Sequence, residues 1–295
     1  MTARRARRST LPALVGVAAP SIGPGLEEAF GWIERTLRNA RTIGAGLVVF
    51  PECILGGYPV EGVGGGRTAA TPAALQIEGP EIARLVTLAE EMTICVGFTE
   101  DAPGGPYNSA VCVSGDGVLG HHRKVHLPPG ERFAYRPGDR FNAFDTPVGR
   151  MGMLICYDKV FPEAAGALAA DGAQLIASMS AWPTCRLAPT RRLARDRQTL
   201  HFDLLDRARA IENQVVWVSS NQAGRSGALR FLGHAKIVDP DGNVLAHTRG
   251  GRSGLAAARI DVPSATATTR AALCHLDDRR SAGYATALPG LAASG

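Results

Sequence analysis

The sequence lacks several features that would assign it quickly to a functional class. It has no C-x-x-C pair among its six cysteines, no P-loop, no G-x-S-x-G turn and no apolar run long enough to span a membrane. Its longest glycine-rich stretch, residues 61–67, ends in Arg67 and so does not match the G-x-G-x-x-G fingerprint. We therefore interpret this stretch as a loop and expect neither a nucleotide-binding protein nor a membrane protein.

The sequence also lacks a strongly basic folded region, although its formal net charge is +5. Four arginines in the first ten residues supply most of this excess and leave a net charge of +1 for residues 11–295. We predict a disordered basic tail over residues 1–12 and no nucleic-acid partner, because nucleic-acid binding needs a basic face on the folded part. No apolar stretch follows the arginines, so the tail is a poor secretion signal. The cysteines are therefore expected to be reduced, in a cytoplasmic protein.

Apolar periodicity predicts alternating strands, helices and hairpins along the rest of the chain. Helices are predicted over residues 26–43, 80–92, 162–171 and 200–213. No internal repeat or linker interrupts the pattern, which predicts one α/β domain over residues 13–262. Residues 263–295 carry few helix or strand signals but several apolar side chains, which indicates an extension that docks on a partner subunit.

Three predicted strands end in side chains that form a coherent reaction set: Glu52, Lys124 and Cys156. A carboxylate can act as general base, a thiolate can attack a carbonyl or nitrile carbon, and an ammonium can stabilise the oxyanion that forms. Cys156 also precedes a predicted helix that begins at Pro162. Nearby backbone N–H groups and the helix dipole are expected to favour its thiolate form.

Lysine is scarce, with three residues (Lys124, Lys159 and Lys236) among 32 basic ones. The chain thus uses arginine almost everywhere for positive charge. An ammonium is a compact point charge suited to a single oxyanion, whereas guanidinium is a broad fork. A lysine at position 124 therefore fits this chemistry.

The motifs around these residues resemble, as an ordered set, those of the nitrilase superfamily of carbon–nitrogen hydrolases. The matching stretches are residues 48–52, 122–124, 154–158, 161–163, 207–213, 220–221 and 277–280, followed by Tyr284. The resemblance runs from about Leu14 to Tyr284. It implies a four-layer α-β-β-α sandwich with two mixed sheets, a Glu52–Lys124–Cys156 triad and a thioester intermediate that needs no cofactor.

The resemblance also implies roles for further residues. Glu131 matches a second glutamate that orients the lysine and the substrate, and the Tyr157 backbone N–H would join Lys124 at the oxyanion. Tyr58 and Trp182 are candidates for contacts with a small-molecule substrate. Family members pair through the helices near the nucleophile, which here are residues 162–171 and 200–213, so a homodimer or an assembly of dimers is expected.

Other polar residues near these motifs are given structural roles. Asp158 is predicted to cap a helix start and Glu163 to form an ion pair. His121, His122 and His126 do not predict a metal site, because alternation on a strand sends the first two to opposite faces. The five arginines between residues 186 and 197 are interpreted as a solvated or subunit-contacting helix face, with attraction of an anionic substrate as the alternative.

Three of the cysteines outside the reaction set are also given positions. Cys95 and Cys112 lie in apolar runs and are predicted to be core residues. Cys53 follows Glu52 directly and is predicted to border the pocket.

The branch of the superfamily is indicated by the residues after the nucleophile. Tyr157-Asp158 is typical of amidases and carbamoylases, where true nitrilases show Trp-Glu. The Gly-Tyr-Pro segment at residues 57–59 instead resembles nitrilases. Lys159 and Val160 stand where amino-acid carbamoylases tend to place paired arginines. We predict an amidase-like hydrolase acting on a small amide or N-carbamoyl compound, with a true nitrilase and a catalytically silent scaffold protein as alternatives.

Overall fold

The computed structural model describes residues 11–20, 22–23, 25–58 and 74–283. Most of the predicted basic tail, the predicted glycine-rich loop at residues 61–67, and Tyr284 with the end of the predicted extension lie outside these residues. Within them, no helix combines the length and the apolar character needed to cross a membrane.

Twelve strands and five α-helices alternate along the described chain. The strands are β1 (Ala13–Pro20), β2 (Ala45–Val49), β3 (Thr93–Ala102), β4 (Gly105–Ser114), β5 (Gly117–Arg123), β6 (Met151–Ile155), β7 (Leu175–Ser180), β8 (Val216–Ser226), β9 (Leu229–Leu232), β10 (Lys236–Val238), β11 (Val244–His247) and β12 (Gly254–Arg259). The helices are α1 (Leu26–Thr42), α2 (Pro80–Ala89), α3 (Pro162–Ala170), α4 (Arg197–Asn213) and α5 (Val262–Arg270).

The strands form two mixed sheets that are joined at one edge. In the first, β1, β2 and β3 are parallel, while β4, β5 and β12 add antiparallel pairs. In the second, β6, β7 and β8 are parallel, while β9, β10 and β11 add antiparallel pairs. A short parallel pairing of β1 with β8, Ala18 to Asn221 through Pro20 to Ala223, connects the two sheets.

Three apolar clusters hold the layers together. The central one packs β1–β4 against β6–β8 and β10, with Leu47, Val49, Met153 and Val218 among its buried members. A second cluster lies between the first sheet and the helices α1 and α2. A third lies between the second sheet and the helices α3 and α4. The fold is therefore the predicted four-layer α-β-β-α sandwich, with helices outside and two sheets face to face.

Helix ends differ from the sequence prediction where capping residues decide them. Helix α4 begins three residues earlier than predicted, because the Asp196 carboxylate accepts a hydrogen bond from the Gln198 N–H at 2.9 Å. Helix α5 crosses the predicted domain boundary in a segment with few helix signals. Its first turn is capped by Asp261, which accepts from the Ser264 N–H.

The segment after α5 packs on its own chain as far as it is described. The Gln214 side chain donates to the Thr269 and Leu273 carbonyls, and Arg279 donates to the Asn213 side chain at 2.8 Å. Docking on a partner subunit therefore remains a prediction for the residues beyond this part.

Candidate active site

Glu52 lies in a tight turn that follows β2 and packs flat against β3. Cys53 in this turn has a left-handed backbone (φ 49°), which is uncommon for a residue other than glycine. A Cβ at Gly97 on β3 would lie 2.6 Å from the Cys53 nitrogen and 2.8 Å from the Glu52 Cα. Only glycine at position 97 lets the turn approach so closely, and this approach buries Glu52 completely.

Lys124 is held between two buried carboxylates. Its ammonium donates to Glu52 Oε1 at 2.7 Å and to both oxygens of Glu131 at 2.6 and 2.7 Å. All three side chains are inaccessible to solvent or nearly so. Burial opposes a charged ammonium, but Glu131 and Glu52 outweigh this effect and raise the pKa of Lys124 well above its usual value. Lys124 is thus a permanent cation at the end of β5.

Glu131 has all its acceptor positions occupied. Besides Lys124, it accepts from the Tyr58 hydroxyl at 2.6 Å and from Asn108 Nδ2 at 3.2 Å. The structure therefore brings Tyr58, which the sequence assigns to substrate contact, against the second glutamate. Burial raises the pKa of Glu131, while Lys124 opposes that rise.

Asn108 on β4 is a site residue that sequence reasoning missed. Its Nδ2 donates to Glu52 Oε1 at 2.7 Å as well as to Glu131, so one amide links the two carboxylates. The Cys53 thiol contacts Asn108 Oδ1 at 3.6 Å, so Cys53 borders the buried cluster through Asn108. The signal for Asn108 in the sequence is that a polar residue stands near the start of an otherwise apolar strand.

Cys156 immediately follows β6 and adopts a left-handed backbone (φ 50°) at the first position of a 3₁₀ turn, Cys156–Val160. Such backbone strain outside glycine is common where a side chain must be presented to a reaction. Asp158 anchors this turn by accepting from the Ile155 N–H at 3.1 Å and the His126 N–H at 2.8 Å. The sequence assigned Asp158 a helix-start role, and these bonds fit it.

The expectation that Cys156 favours its thiolate form is wrong. Burial, followed by the negative charge of Glu52, raises the pKa of this thiol well above its usual value, although Lys124 opposes the rise. The helix dipole invoked from the sequence is too distant, because α3 begins only at Pro162. Cys156 therefore rests as a neutral thiol and needs a base to become a nucleophile.

The second oxygen of Glu52 lies on the side of the thiol. Oε2 accepts from the Ala181 N–H at 2.6 Å, and the same N–H is oriented toward the Cys156 sulfur, where it partly offsets the rise in the pKa of the thiol. Asn221 on β8 fixes the next residue by accepting from the Trp182 N–H at 2.7 Å. The carboxylate and the thiol thus share one backbone donor.

Trp182 is 7% exposed and packs edge to face on Phe202, with ring centroids 5.7 Å apart. Its indole N–H donates to Gln198 at 2.8 Å. It belongs to the central cluster together with Cys156, which is the position expected of a pocket wall.

The Tyr157 side chain lies outside the buried cluster. Together with His126 and Phe161, it lines a groove of about 800 Å³ that none of the three triad side chains reaches. Only the backbone of Tyr157 is therefore available for the oxyanion role that the resemblance implies.

The remaining predictions for polar residues have mixed outcomes. Cys95 and Cys112 are fully buried, as predicted. Glu163 is exposed and forms no ion pair among the residues that the structure describes, so its ion pair stays a prediction. The arginine-rich segment is a loop with a single 3₁₀ turn, Leu193–Arg195, before α4 begins, and not the helix face that was predicted.

The histidines have carboxylate partners and form no metal cluster. His121 contacts Glu100 at 2.9 Å, whereas His122 contacts Asp158 at 3.1 Å, so the two rings diverge as strand alternation predicts. Across the described ranges, no group of three or more His, Cys, Asp or Glu side chains is placed to hold a metal ion.

A buried thiol beside a carboxylate and an ammonium, in a four-layer sandwich, defines a class of thiol-dependent hydrolases. The sequence matches the carbon–nitrogen hydrolase family over residues 14–270, and the chain belongs to that family. The resemblance to the amidase-like branch of the nitrilase superfamily is confirmed.

Relatives and solved structures agree with this assignment. The chain is 31% identical over 239 residues to a probable nitrilase of Schizosaccharomyces pombe, covering 79% of this chain and 82% of that protein. It is 36% identical over 223 residues to an (R)-stereoselective amidase of Pseudomonas sp, covering 72% and 73%. The crystal structure of a carbon–nitrogen hydrolase from Helicobacter pylori G27 has the same fold, with a TM-score of 0.82, 24% identity and coverage of 94% and 98%.

Proposed function

We propose that the protein hydrolyses the C–N bond of a small amide or N-carbamoyl compound through a thioester on Cys156. The observation that carries this proposal is the buried Glu52–Lys124–Glu131 cluster, whose charges act on the Cys156 thiol. Membership in the carbon–nitrogen hydrolase family supports it.

In the first half of the reaction, Cys156 attacks the carbonyl carbon while its proton passes to Glu52. The raised pKa of the thiol makes this transfer necessary, and the shared Ala181 N–H brings the Glu52 carboxylate to the sulfur. The carbonyl electron pair moves to oxygen, where the Lys124 ammonium and the Tyr157 N–H stabilise it. The tetrahedral adduct then breaks its C–N bond, and the leaving nitrogen takes the proton from Glu52.

In the second half, water attacks the thioester carbon and gives a proton to Glu52. The carboxylic acid leaves, and the thiolate recovers the proton from Glu52, which restores the resting state. Glu131 binds the Lys124 ammonium, and Asn108 donates to both Glu52 and Glu131. These bonds keep Lys124 and Glu52 in place throughout the reaction. The route as written uses no cofactor.

We favour amides over nitriles as substrates because Tyr157-Asp158 replaces the Trp-Glu of true nitrilases. The name of the Pseudomonas relative supports this choice, and the name of the Schizosaccharomyces pombe relative supports the alternative. A scaffold function is disfavoured, because the carboxylate, the ammonium and the thiol of the predicted triad are all present and buried together.

A homodimer in the cytoplasm completes the proposal. Three apolar side chains on the outer side of α4 are exposed, Leu200 at 58%, Leu204 at 67% and Ile211 at 40%. Spaced at i, i+4 and i+11, they suit the helix pairing that the family resemblance implies. Six free cysteines accord with a reducing compartment. Light scattering of the protein and of Leu204→Glu tests the dimer, with Leu187→Glu in the exposed loop as the matched control.

The hydrolytic function is tested by measuring ammonia release from matched amide, N-carbamoyl and nitrile compounds. Turnover of an amide, its loss in Cys156→Ala and its retention in Cys274→Ala would support the proposal. A nitrile hydrolysed about tenfold faster than its amide, a difference of about 1.4 kcal/mol in barrier, would assign the protein to the nitrilase branch instead.

A further inference from the structure

The three lysines share a property that the surface arginines lack: all of them are buried. Lys124 and Lys159 are 0% exposed and Lys236 is 3% exposed. Lys124 belongs to the site already described, but Lys159 and Lys236 have no part in the proposed reaction. Burying an ammonium costs several kcal/mol unless it is paired, so both positions need an explanation.

Lys159 and Lys236 share one buried carboxylate, Asp206 on α4. The Lys159 ammonium donates to Asp206 Oδ1 at 2.8 Å, and the Lys236 ammonium donates to Oδ2 at 2.7 Å. The Trp217 indole N–H adds a third donor to Oδ1 at 2.9 Å. Lys236 also pairs at 3.0 Å with Asp203, which is 41% exposed. We call Lys159, Asp206 and Lys236 the rear cluster.

Lys159 differs from Lys236 in its position relative to the nucleophile. It lies three residues after Cys156, in the same 3₁₀ turn. Its ammonium stands 3.2 Å from the centroid of the Phe202 ring and 5.0 Å from that of Trp182, whereas the Lys236 ammonium contacts the Phe202 ring, at 4.2 Å, and not Trp182. These rings pack in one cluster with Cys156, so Lys159 places positive charge directly behind the pocket wall.

Three residues on one face of α4 hold the 3₁₀ turn that contains Cys156. Phe202, Asp206 and Arg209 lie at i, i+4 and i+7 and are all buried. Arg209 donates to the carbonyls of Lys159 and Val160 at 3.0 and 2.9 Å. The turn is thus fixed through its backbone by Arg209 and through a side chain by Asp206.

The charges of the two clusters suggest why the side chain that links the Cys156 turn to Asp206 is a lysine. Glu52, Glu131 and Lys124 together carry one excess negative charge, which disfavours further negative charge on Cys156. Negative charge on Cys156 raises the pKa of Lys159, as Asp206 does, so the thiolate and this ammonium attract each other. A cation in the same turn as the thiol can therefore offset part of the negative charge of the triad carboxylates.

We propose that Lys159 is a positioning residue for the reaction, holding the Cys156 turn against the Trp182–Phe202 wall and keeping a buried positive charge behind the sulfur. The proposal rests on Cys156 being the nucleophile. It assigns to Lys159 a role that the equally buried Lys236, bound to the other oxygen of the same carboxylate, does not have.

The matched variants are Lys159→Met and Lys236→Met. Each removes one buried ammonium and leaves Asp206 paired with the remaining lysine and with Trp217, so neither orphans a buried carboxylate. Methionine fills similar volume without charge. Lys159→Gln is the second variant at this position, because its amide can still donate to Asp206 while carrying no charge.

The readout is the rate at which iodoacetamide alkylates Cys156, followed by mass spectrometry of the Cys156 peptide from pH 6 to 10. This measurement needs no substrate, so it separates failure of this proposal from failure of the proposed function, which the Cys156→Ala turnover test decides. The groups facing Lys159, namely Asp206, Lys236 and Cys156, are unchanged in the Lys159 variants.

At pH 6 to 7, where Lys159 is charged, we expect Lys159→Met and Lys159→Gln to slow alkylation of Cys156 about tenfold and to lower kcat about tenfold. Lys236→Met should leave the alkylation rate within about twofold of that of the unmodified protein. Equal losses of rate in the Lys159 and Lys236 variants, or no loss in either Lys159 variant, would overturn the proposal. So would a loss of activity that follows thermal stability alone.

Discussion

Two buried ion clusters lie near Cys156, and they have opposite composition. The triad cluster sets one ammonium, Lys124, between two carboxylates, whereas the rear cluster sets one carboxylate, Asp206, between two ammonium groups. The first therefore carries an excess negative charge, whereas the second carries an excess positive charge that the part-exposed Asp203, 3.0 Å from Lys236, partly offsets. A buried cluster with unbalanced charge is expensive alone, but two clusters of opposite sign that lie near each other offset part of this cost.

The comparison also separates a reactive cluster from a supporting one. In the triad cluster, Glu52 has one oxygen on the Ala181 N–H that also faces the sulfur, so its carboxylate can exchange a proton with the thiol. In the rear cluster, Asp206 is saturated by Lys159, Lys236 and Trp217. The same ion-pair chemistry thus serves catalysis on one side and geometry on the other.

The largest effect is expected from Cys156→Ala, which removes the group that both clusters surround. Turnover of an amide should fall by about 10⁴-fold or more, because nucleophile, base and cation act as a unit. The fold should persist, as alanine is smaller and the site is polar. Steady-state rates check the first statement and circular dichroism the second. Substantial turnover by a folded variant would remove Cys156 from the mechanism.

Lys124→Arg tests whether the triad cluster needs a compact cation. The planar guanidinium does not fit a fully buried gap whose oxygens lie 2.6–2.7 Å from one nitrogen. We expect kcat to fall by about 10³-fold. A variant with near-normal kcat would show that positive charge alone, without its geometry, is sufficient.

Asp206→Asn tests the rear cluster through stability. It leaves Lys159 without a carboxylate and Lys236 with only the part-exposed Asp203, so the free energy of unfolding should fall by about 3–5 kcal/mol. Lys159→Met is the control, because it leaves a neutral pair and should be far less destabilising. Denaturant titration of both variants measures the difference, and equal losses would contradict the charge argument.

Tyr58→Phe removes one hydrogen bond to Glu131 while keeping the ring against Phe231. Glu131 retains Lys124 and Asn108, so we expect only about a tenfold loss in kcat. If Tyr58 contacts the substrate instead, as the sequence suggests, KM should rise while kcat changes little. The split between the two constants distinguishes these roles.

The smallest effect concerns the pH dependence of stability, because the pKa values of Lys124 and Lys159 are shifted in opposite directions. Burial lowers the pKa of Lys159 to about 8 although Asp206 opposes it, whereas the pKa of Lys124 is raised. A lowered lysine pKa penalises the folded state below pH 8 and relieves the penalty as pH rises toward the unfolded value. The Tm of the protein relative to Lys159→Met should therefore increase by a few degrees between pH 8 and 10. A constant difference would contradict the lowered pKa.

The sequence predicts the parts of the site that follow local pattern. Glu52, Lys124 and Cys156 each stand just after a predicted strand, and these strands are β2 and β5 of the first sheet and β6 of the second, which face each other. The fold class follows from the alternation of strands and helices, but its four layers came from the family resemblance. Helix α5 gave little signal because its threonines are poor helix formers, and its stability comes from the Asp261 cap and from packing.

Contacts between residues distant in sequence could not be predicted in the same way. Asn108 meets Glu52 across 56 residues, and Lys159 meets Asp206 across 47. Such contacts depend on strand register and helix rotation, which one sequence does not reveal. The state of Cys156 was predicted wrongly for a related reason, because its pKa follows from tertiary burial and from Glu52 rather than from the neighbouring helix.

The most direct test of the account is rapid quenching of the protein with an amide substrate, followed by mass spectrometry of its peptides. We predict an increase equal to the acyl group of the substrate, confined to the peptide that contains Cys156. In Glu52→Gln the adduct should not accumulate at the rate of the unmodified protein, because the neutral thiol has lost its base. Hydrolysis that proceeds without any adduct on Cys156, or with the acyl group on another cysteine, would contradict the central claim.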